Sequence, residues 1–318
     1  MIGLVLLFIA LSVLLLIMLS PLEALAWWAG WNKSDNPDQS TESWLSAIQN
    51  PNYESPGGVK QYVIFMTGIG GFSRDAFLPE ERRFMDSLMT EMPEIRLVDD
   101  VYPYSSVEKG LTEGRLFSRF WNIAVEGKAH KSVVGFSINL RNMLQVFVAA
   151  DSRYGPIYGW GLANILLRAL VRHRYPFGSG MPVTLIGYSG GGEMSAQSVQ
   201  LLHQILEAPI RVISLGGVIS NEPGLVDVDH LYHIYGDKDK IQRLGVILFP
   251  GRWPIATRSV WNKACAAGKI TMVPMGPFGH NGPGGYLDHT SLTEDGRSYF
   301  DVTVATIVRL LRENPHVV

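Results

Sequence analysis

One stretch of the sequence gives the clearest indication of fold and chemistry, Val183-Thr184-Leu185-Ile186-Gly187-Tyr188-Ser189-Gly190-Gly191-Gly192-Glu193-Met194-Ser195. Its first half is an apolar, β-branched run that predicts a strand over 182–186, and helical spacing follows over 193–206. Ser189 lies between the two in a G-x-S-x-G pattern. A serine on so tight a turn requires glycine two residues to either side, because side chains there would collide. We expect the Ser189 hydroxyl to project above the sheet, facing the N-terminus of the following helix.

Strand-like and helix-like segments alternate on both sides of this turn. Strands are predicted over 62–66, 95–102, 182–186, 211–215, 231–235 and 270–273. Helices are predicted over 78–92, 132–150, 161–172, 193–206 and 297–312. Such alternation is typical of a mostly parallel sheet with helices on both faces, the α/β class. We expect one domain over 55–318, with 104–131 as an irregular insertion.

Two of the predicted helices carry an arginine within an apolar run. Arg141 and Arg168 occupy these positions. We interpret both segments as packed surface helices and not as membrane spans.

The first residues of the chain form a separate, apolar segment. Residues 2–19 carry no charge, and the first charged side chain is Glu23. At about 1.5 Å per residue a helix of this length reaches roughly the 30 Å of a bilayer's hydrocarbon core. Trp27, Trp28 and Trp31 follow, as expected at a headgroup layer. We therefore predict a single transmembrane helix over 1–22 and a polar tether over 23–54.

Two other interpretations of this segment stay open. Residues 24–26, Ala-Leu-Ala, resemble a signal-peptide cleavage site, although no Lys or Arg precedes the apolar run. A buried globular helix is the third interpretation. The sequence does not predict on which side of the membrane the domain lies. No Lys or Arg precedes the span, and the nearest one after it is Lys33, so the distribution of positive charge favours neither orientation.

Composition excludes several classes of protein. With 27 Lys and Arg against 29 Asp and Glu, the formal net charge of −2 argues against a nucleic-acid partner. Hydrophobic residues make up 47% of the chain, which excludes a disordered protein. The single cysteine, Cys265, cannot form an intrachain disulfide or a Cys-rich zinc site. No metal and no organic cofactor are implied.

A serine nucleophile needs a base, and the base needs an acid to orient it. His280 is the first candidate for the base because it follows the last predicted strand in a loop. His289, on the same loop system, is the alternate. Asp239 is the first candidate for the acid, since it lies further into the loop after 231–235 than its alternate, Asp237.

An acyl-transfer site also needs two donors for the developing oxyanion. The N–H group of Gly190, directly after the nucleophile, is one candidate. The second should come from the glycine-rich loop 67–71 after an early strand, and we choose the N–H group of Ile69. A helix-entry turn that binds no ligand is the alternative interpretation of this loop.

Four segments together resemble the α/β-hydrolase superfamily, and the similarity covers about residues 60–313. They are Met66-Thr67-Gly68-Ile69-Gly70-Gly71, Gly187-Tyr188-Ser189-Gly190-Gly191, Gly236-Asp237-Lys238-Asp239 and Gly279-His280. The spacing from Gly236 to Asp239 matches the usual position of the family's acid, and the chain order Ser189, Asp239, His280 is the family's order. The family typically has His-Gly where this chain has Thr67-Gly68.

The resemblance implies the α/β-hydrolase fold and a serine hydrolase. We expect a membrane-anchored, single-pass enzyme that cleaves a small-molecule or lipid ester, or a thioester, through an acyl-enzyme intermediate. Two alternatives remain, a non-catalytic binding module with the same fold and an acyltransferase that uses the same serine.

Overall fold

The structure is a computed structural model that describes residues 42–49, 57–73, 77–104, 125–126 and 133–313, with the single positions 11, 15, 19 and 123. Most of the predicted membrane helix and most of the predicted insertion lie outside these residues. Among the described helices, none combines the length and the apolarity that crossing a membrane requires.

Six parallel strands form one sheet. They are β1 (Gln61–Met66), β2 (Ile95–Val98), β3 (Val183–Tyr188), β4 (Ile210–Leu215), β5 (His230–Tyr235) and β6 (Ile270–Pro274). Their order across the sheet is β2-β1-β3-β4-β5-β6, and all five pairings are parallel. All residues of β1, β3 and β4 are buried, as expected for strands covered on both faces. The α/β class predicted from the alternating pattern is therefore confirmed.

The helices follow the strands closely. They are α1 (Glu42–Gln49), α2 (Pro79–Glu91), α3 (Val133–Ala149), α4 (Gly155–Arg172), α5 (Gly190–Leu206), α6 (Leu244–Leu248), α7 (Val260–Ala266) and α8 (Tyr299–Arg312). Short 3₁₀ turns occur at Pro223–Val226 and Pro250–Arg252. Helix α1 lies within the segment predicted to be a polar tether. Trp44 and Ala47, three residues apart on one side of this helix, are buried. Trp44 also donates a hydrogen bond from Nε1 to Asn164 Oδ1, 2.8 Å away.

An apolar core lies on each face of the sheet, because side chains alternate along the strands. Tyr62, Ile64 and Met66 of β1 pack with residues of α3, α4 and α5. Val63 and Phe65 of the same strand pack on the opposite face with α2 and α8. The sheet therefore holds the loops at its carboxyl edge between two rigid layers.

Arg141 and Arg168, the arginines within the two apolar helices, are both buried. Their exposed fractions are 1% and 3%. Arg141 is buried because its Nη1 donates to the carbonyl oxygen of Tyr104 (2.9 Å) and to Asn142 Oδ1 (2.9 Å). A guanidinium group with such acceptors can be removed from water. The charge thus fixes α3 to the segment after β2.

Strand β6 forms one edge of the sheet. It has five residues, and Thr271, Met272 and Pro274 are exposed. Its neighbour on the inner side is β5, in register from Leu231–Ile270 to Tyr235–Pro274.

Candidate active site

The candidate site lies where the strand order reverses. The chain passes from β1 to β2 on one side of the sheet and then continues with β3 on the other side of β1. The connections that leave β1 and β3 therefore diverge, which opens a crevice at the carboxyl ends of these strands. The glycine-rich loop 67–71 and Ser189 both begin at this crevice.

Ser189 is held in a strained turn between β3 and α5. Its backbone has φ 54° and ψ −121°, a conformation that non-glycine residues rarely adopt. A Cβ at Gly187 would lie 2.3 Å from the carbonyl oxygen of Gly191, and a Cβ at Gly191 would lie 2.3 Å from that of Met66. The turn therefore requires glycine on both sides of Ser189.

The structure brings Ser189, His280 and Asp239 together. His280 Nε2 lies 2.8 Å from Ser189 Oγ, and His280 Nδ1 lies 2.9 Å from Asp239 Oδ2. Asp239 is fully buried, and the His280 side chain is 10% exposed. With the proton of a neutral imidazole on Nδ1, the Nε2 atom is free to accept a proton from the Ser189 hydroxyl.

Asp239 is held in place by further donors. Its Oδ1 accepts hydrogen bonds from the N–H groups of Ile241 (2.8 Å) and Gln242 (3.1 Å). Tyr286 donates its hydroxyl to Oδ2 at 2.8 Å. Burial alone would raise the pKa of Asp239, but these bonds, together with the hydrogen bond and charge of His280, bring the pKa below its ordinary value. The carboxylate is therefore ionised and oriented toward the imidazole.

Two tyrosines that the sequence did not single out surround His280. Tyr188, the residue before the serine, donates its hydroxyl to the carbonyl oxygen of His280 at 2.8 Å. The Tyr188 and His280 rings stack, with centroids 5.6 Å apart. The Tyr286 ring meets the imidazole edge-on at 6.3 Å, and its hydroxyl also accepts a bond from the N–H group of Gly236 (2.8 Å). The imidazole is thus fixed by aromatic contacts and by its backbone.

The loop after β1 approaches the serine. A Cβ at Gly68 would lie 3.2 Å from Ser189 Cβ, and a Cβ at Gly190 would lie 2.8 Å from Ile69 Cγ2. Among the described residues, neither the Ile69 nor the Gly190 N–H group has an intramolecular acceptor. Gly190 is also the first residue of α5, where backbone N–H groups are free of helical partners. Both amides are therefore available to an oxygen atom bound beside Ser189.

Three carbonyl groups of this loop accept hydrogen bonds from buried side chains. Asn142 Nδ2 donates to the carbonyl oxygens of Ile69 (2.8 Å) and Gly71 (2.7 Å). The Tyr104 hydroxyl donates to the carbonyl oxygen of Thr67 at 2.9 Å. With these acceptors satisfied, the loop cannot turn its oxygens toward the serine without losing buried hydrogen bonds.

A buried glutamate supports the same loop from the other side. Glu81, in the first turn of α2, accepts the Thr67 hydroxyl at 2.7 Å and the N–H group of Leu78 at 3.1 Å. Burial raises the pKa of Glu81. Where the resemblance leads one to expect a histidine, this chain therefore has a threonine that is bonded to a carboxyl group.

The alternate candidates lie apart from this arrangement. Asp237 is exposed, and its carbonyl oxygen accepts a hydrogen bond from Arg243 Nη2 (2.6 Å). His289 is exposed in the loop that follows Tyr286. The acid and base that contact each other are Asp239 and His280.

Glu193, in the first turn of α5, is fully buried. Its Oε2 accepts the N–H group of Ser220 at 2.7 Å, and the Ser220 hydroxyl donates to Glu222 Oε1 at 2.7 Å. Burial, and then the neighbouring Glu222, raise the pKa of Glu193 well above its ordinary value. Burial likewise raises the pKa of Glu222. The carboxyl pair joins the first turn of α5 to the segment after β4.

No group of three or more His, Cys, Asp and Glu side chains that could hold a metal ion occurs within the described part of the chain. No protein-family model matches this sequence. No curated protein shows significant similarity to it either.

Proposed function

We propose that this protein is a serine hydrolase of the α/β-hydrolase type that cleaves an ester or a thioester through an acyl-enzyme intermediate. One observation carries the proposal, the continuous chain of hydrogen bonds from Ser189 Oγ through His280 to Asp239, 2.8 Å and 2.9 Å long. A hydroxyl bonded to an imidazole that is itself bonded to a buried carboxylate is the arrangement that activates a serine.

In the first half of the reaction, Ser189 Oγ attacks the substrate carbonyl carbon while His280 Nε2 takes the hydroxyl proton. Asp239 stabilises the imidazolium that forms, through the bond to Nδ1. The N–H groups of Ile69 and Gly190 donate to the oxyanion of the tetrahedral intermediate. His280 then gives its proton to the leaving alcohol or thiol, and the acyl group remains on Ser189.

In the second half, His280 takes a proton from water, and the resulting hydroxide attacks the acyl carbonyl. Collapse of the second tetrahedral intermediate returns the proton to Ser189 and releases the carboxylic acid. An acyltransferase differs only here, since an alcohol or amine takes the place of water. The apolar stretch 2–19 supports membrane attachment of the enzyme.

The proposal is tested by p-nitrophenyl ester hydrolysis with the full chain, Ser189→Ala and Ser198→Ala. Ser198 lies buried further along α5, and its hydroxyl donates to the carbonyl oxygen of Ser195. We expect Ser189→Ala to lower kcat by several orders of magnitude and Ser198→Ala to retain activity. Equal rates for wild type and Ser189→Ala would refute the assignment.

Two further measurements separate the alternatives. A fluorophosphonate probe should modify Ser189, whereas a non-catalytic binding module would leave it unmodified. Product analysis with an added alcohol acceptor distinguishes hydrolysis from acyl transfer.

A further inference from the structure

The segment that follows Asp239 has a one-sided charge. Residues 240–287 contain six basic residues and no Asp or Glu, although the whole chain has a slight acidic excess. The basic residues are Lys240, Arg243, Arg252, Arg258, Lys263 and Lys269. Four of these side chains, all except Arg252 and Lys269, are exposed. Residues 240–287 therefore carry a local excess of positive charge, with the exposed Asp237 as the nearest exposed acidic residue before them in the sequence.

The same segment exposes large apolar side chains. Six of them occur within residues 241–255, with exposed fractions from 41% to 84%: Ile241, Val246, Ile247, Leu248, Trp253 and Ile255. Val246, Ile247 and Leu248 are consecutive in α6, so they extend over more than half of the helix circumference. A helix that exposes three successive aliphatic residues projects from the surface. Apolar exposure of this extent marks an interaction site.

The exposed side chains rest on a base that fixes them. Arg252 is buried, donates from Nη1 to the carbonyl oxygen of Ile219 (3.1 Å) and places its guanidinium carbon 3.8 Å from the centre of the Trp261 ring. Trp253 Nε1 donates to the carbonyl oxygen of Val246 at 2.7 Å. Asn262 Nδ2 donates to the carbonyl oxygen of Trp253 at 2.8 Å. The bond from Trp253 to Val246 holds the apolar residues 246–248 beside residues 253–255.

This surface is joined directly to the candidate site. The N–H group of Ile241 donates to Asp239 Oδ1, and Arg243 Nη2 donates to the carbonyl oxygen of Asp237. The segment that carries this surface therefore begins at the loop that holds Asp239.

We propose that the surface formed by residues 240–258 binds the headgroup and outer acyl region of an anionic lipid bilayer. Exposed aliphatic residues and a tryptophan, combined with lysine and arginine and no acidic residue, are what an anionic membrane interface attracts. A second copy of the chain fits poorly, because symmetric contact would bring Lys240, Arg243 and Arg258 of both copies together. The contact is additional to the predicted anchor and does not depend on catalysis.

The experiment uses the full chain, reconstituted in vesicles of phosphatidylcholine alone or of phosphatidylcholine with phosphatidylglycerol. Cys265, the only cysteine, is replaced by serine, and Ile255→Cys is labelled with an NBD fluorophore. Met89→Cys is the matched control, because Met89 is an exposed apolar residue in the last turn of α2, which runs back toward the opposite edge of the sheet. Lipids with a spin label in the acyl chain then report direct contact by quenching NBD.

We expect blue-shifted emission and at least twofold quenching at position 255, stronger in anionic vesicles, and neither at position 89. Lys240→Gln combined with Arg258→Gln should reduce the quenching at 255 in anionic vesicles alone. Equal quenching at the two positions, or none at 255, would overturn the proposal. A blue shift at 255 without quenching would also overturn it, since protein and not lipid would then cover the surface.

Discussion

At the scale of single residues, Tyr286 has an unusual part in the candidate site. It is fully buried, and its hydroxyl donates to the oxygen of Asp239 that also faces His280. Burial, and then the charge of Asp239, raise the pKa of the phenol, so the hydroxyl keeps its proton. Tyr286 therefore acts as a positioning residue for the acid.

The first prediction concerns removal of this hydroxyl. A hydrogen bond to a charged group contributes about 1.5–3 kcal/mol, so Tyr286→Phe should lower kcat for ester hydrolysis by roughly tenfold to a hundredfold. KM should change little, because the buried hydroxyl bonds to Asp239 and not to substrate. Tyr175→Phe, which removes a hydroxyl bonded to the carbonyl oxygen of Met181, is the control and should leave kcat unchanged. A kcat for Tyr286→Phe equal to that of the wild type would contradict the assigned part.

The second prediction concerns the glycine two residues after the serine. The methyl group in Gly191→Ala would lie 2.3 Å from the carbonyl oxygen of Met66 and 2.9 Å from that of Thr67, both backbone atoms. The end of β1 must move, and we expect a loss of about 1–3 kcal/mol in the free energy of unfolding, measured in urea. Gly57→Ala is the control because it has open space around it. Equal free energies of unfolding for Gly191→Ala and Gly57→Ala would contradict this prediction, because the turn would then have accommodated the methyl group.

Sequence reasoning found the residues with strong local signals and missed those that act through the fold. Ser189 is marked by its glycines, and His280 by its place after a strand. Tyr286 and Tyr188 carry no such mark, because their contacts are made by residues far apart in sequence. Asn142 had only a weak signal, as one of several polar residues in the largely apolar helix 133–149, because the sequence does not show which of them are buried.

At the scale of elements, the contact between α5 and the segment after β4 depends on a buried pair of acids. Glu193 and Glu222 meet through Ser220, and Gln197 Nε2 donates to Glu222 Oε2 at 3.2 Å. Two carboxylates in such a place repel each other, so the pair binds a proton that an exposed pair would release. Loss of that proton therefore weakens the contact between the first turn of α5 and its neighbour.

The third prediction follows from the sign of this shift. The folded pKa of Glu193 lies above the ordinary 4.5, so the folded protein binds a proton that the unfolded chain releases, and stability falls as the pH rises above about 4.5. Glu193→Gln cannot lose a proton and can still accept from Ser220. We expect the variant to gain stability over wild type at pH 8, and the difference to shrink toward pH 4.5. Urea unfolding at both pH values measures this, with the exposed Glu207→Gln as control.

A difference of constant size at the two pH values would show that Glu193 does not carry the proton.

The helices were easier to predict from the sequence than the surroundings of their buried charges. Periodicity marks the apolar face of a helix, as it did for α2, α5 and α8. It does not say whether an embedded Arg141 or Glu193 meets water or a buried partner, which depends on distant segments.

At the scale of the whole molecule, the strand order gathers the candidate site from four separate parts of the chain. Alternating strands and helices predict a parallel sheet, and the structure confirms it. The order in which the strands lie could not be derived from that pattern, because it depends on which connections cross which face. The reversal between β1 and β3 is what brings loop 67–71 to Ser189.

The fourth prediction concerns acid sensitivity of the fold. His233 of β5 is fully buried, with Nδ1 3.1 Å from Ser214 Oγ, and burial, followed by the charge of Arg252, lowers its pKa to about 3. The unfolded chain takes up this proton below about pH 6.5 and the folded protein does not. Stability therefore falls between about pH 6.5 and pH 3, by about 1.4 kcal/mol per pH unit from this group.

In His233→Gln the stability should depend less on pH than in the wild type. The urea midpoints of unfolding at pH 7 and pH 5 measure this difference. The exposed His203→Gln is the matched control. The readout is the change between the two pH values, so any constant loss from the substitution cancels. The same slope in wild type and His233→Gln would assign the acid sensitivity to other groups.

Strand β6, at the edge of the sheet, affects how readily copies of this protein aggregate at high concentration. An exposed edge strand is a template on which a foreign strand can add, and repeated addition leads to fibrils. Here the template is only five residues long and closes with Pro274, which has no N–H group to offer. The open side of the sheet is thus a poor seed for cross-β growth, even though it carries an exposed methionine.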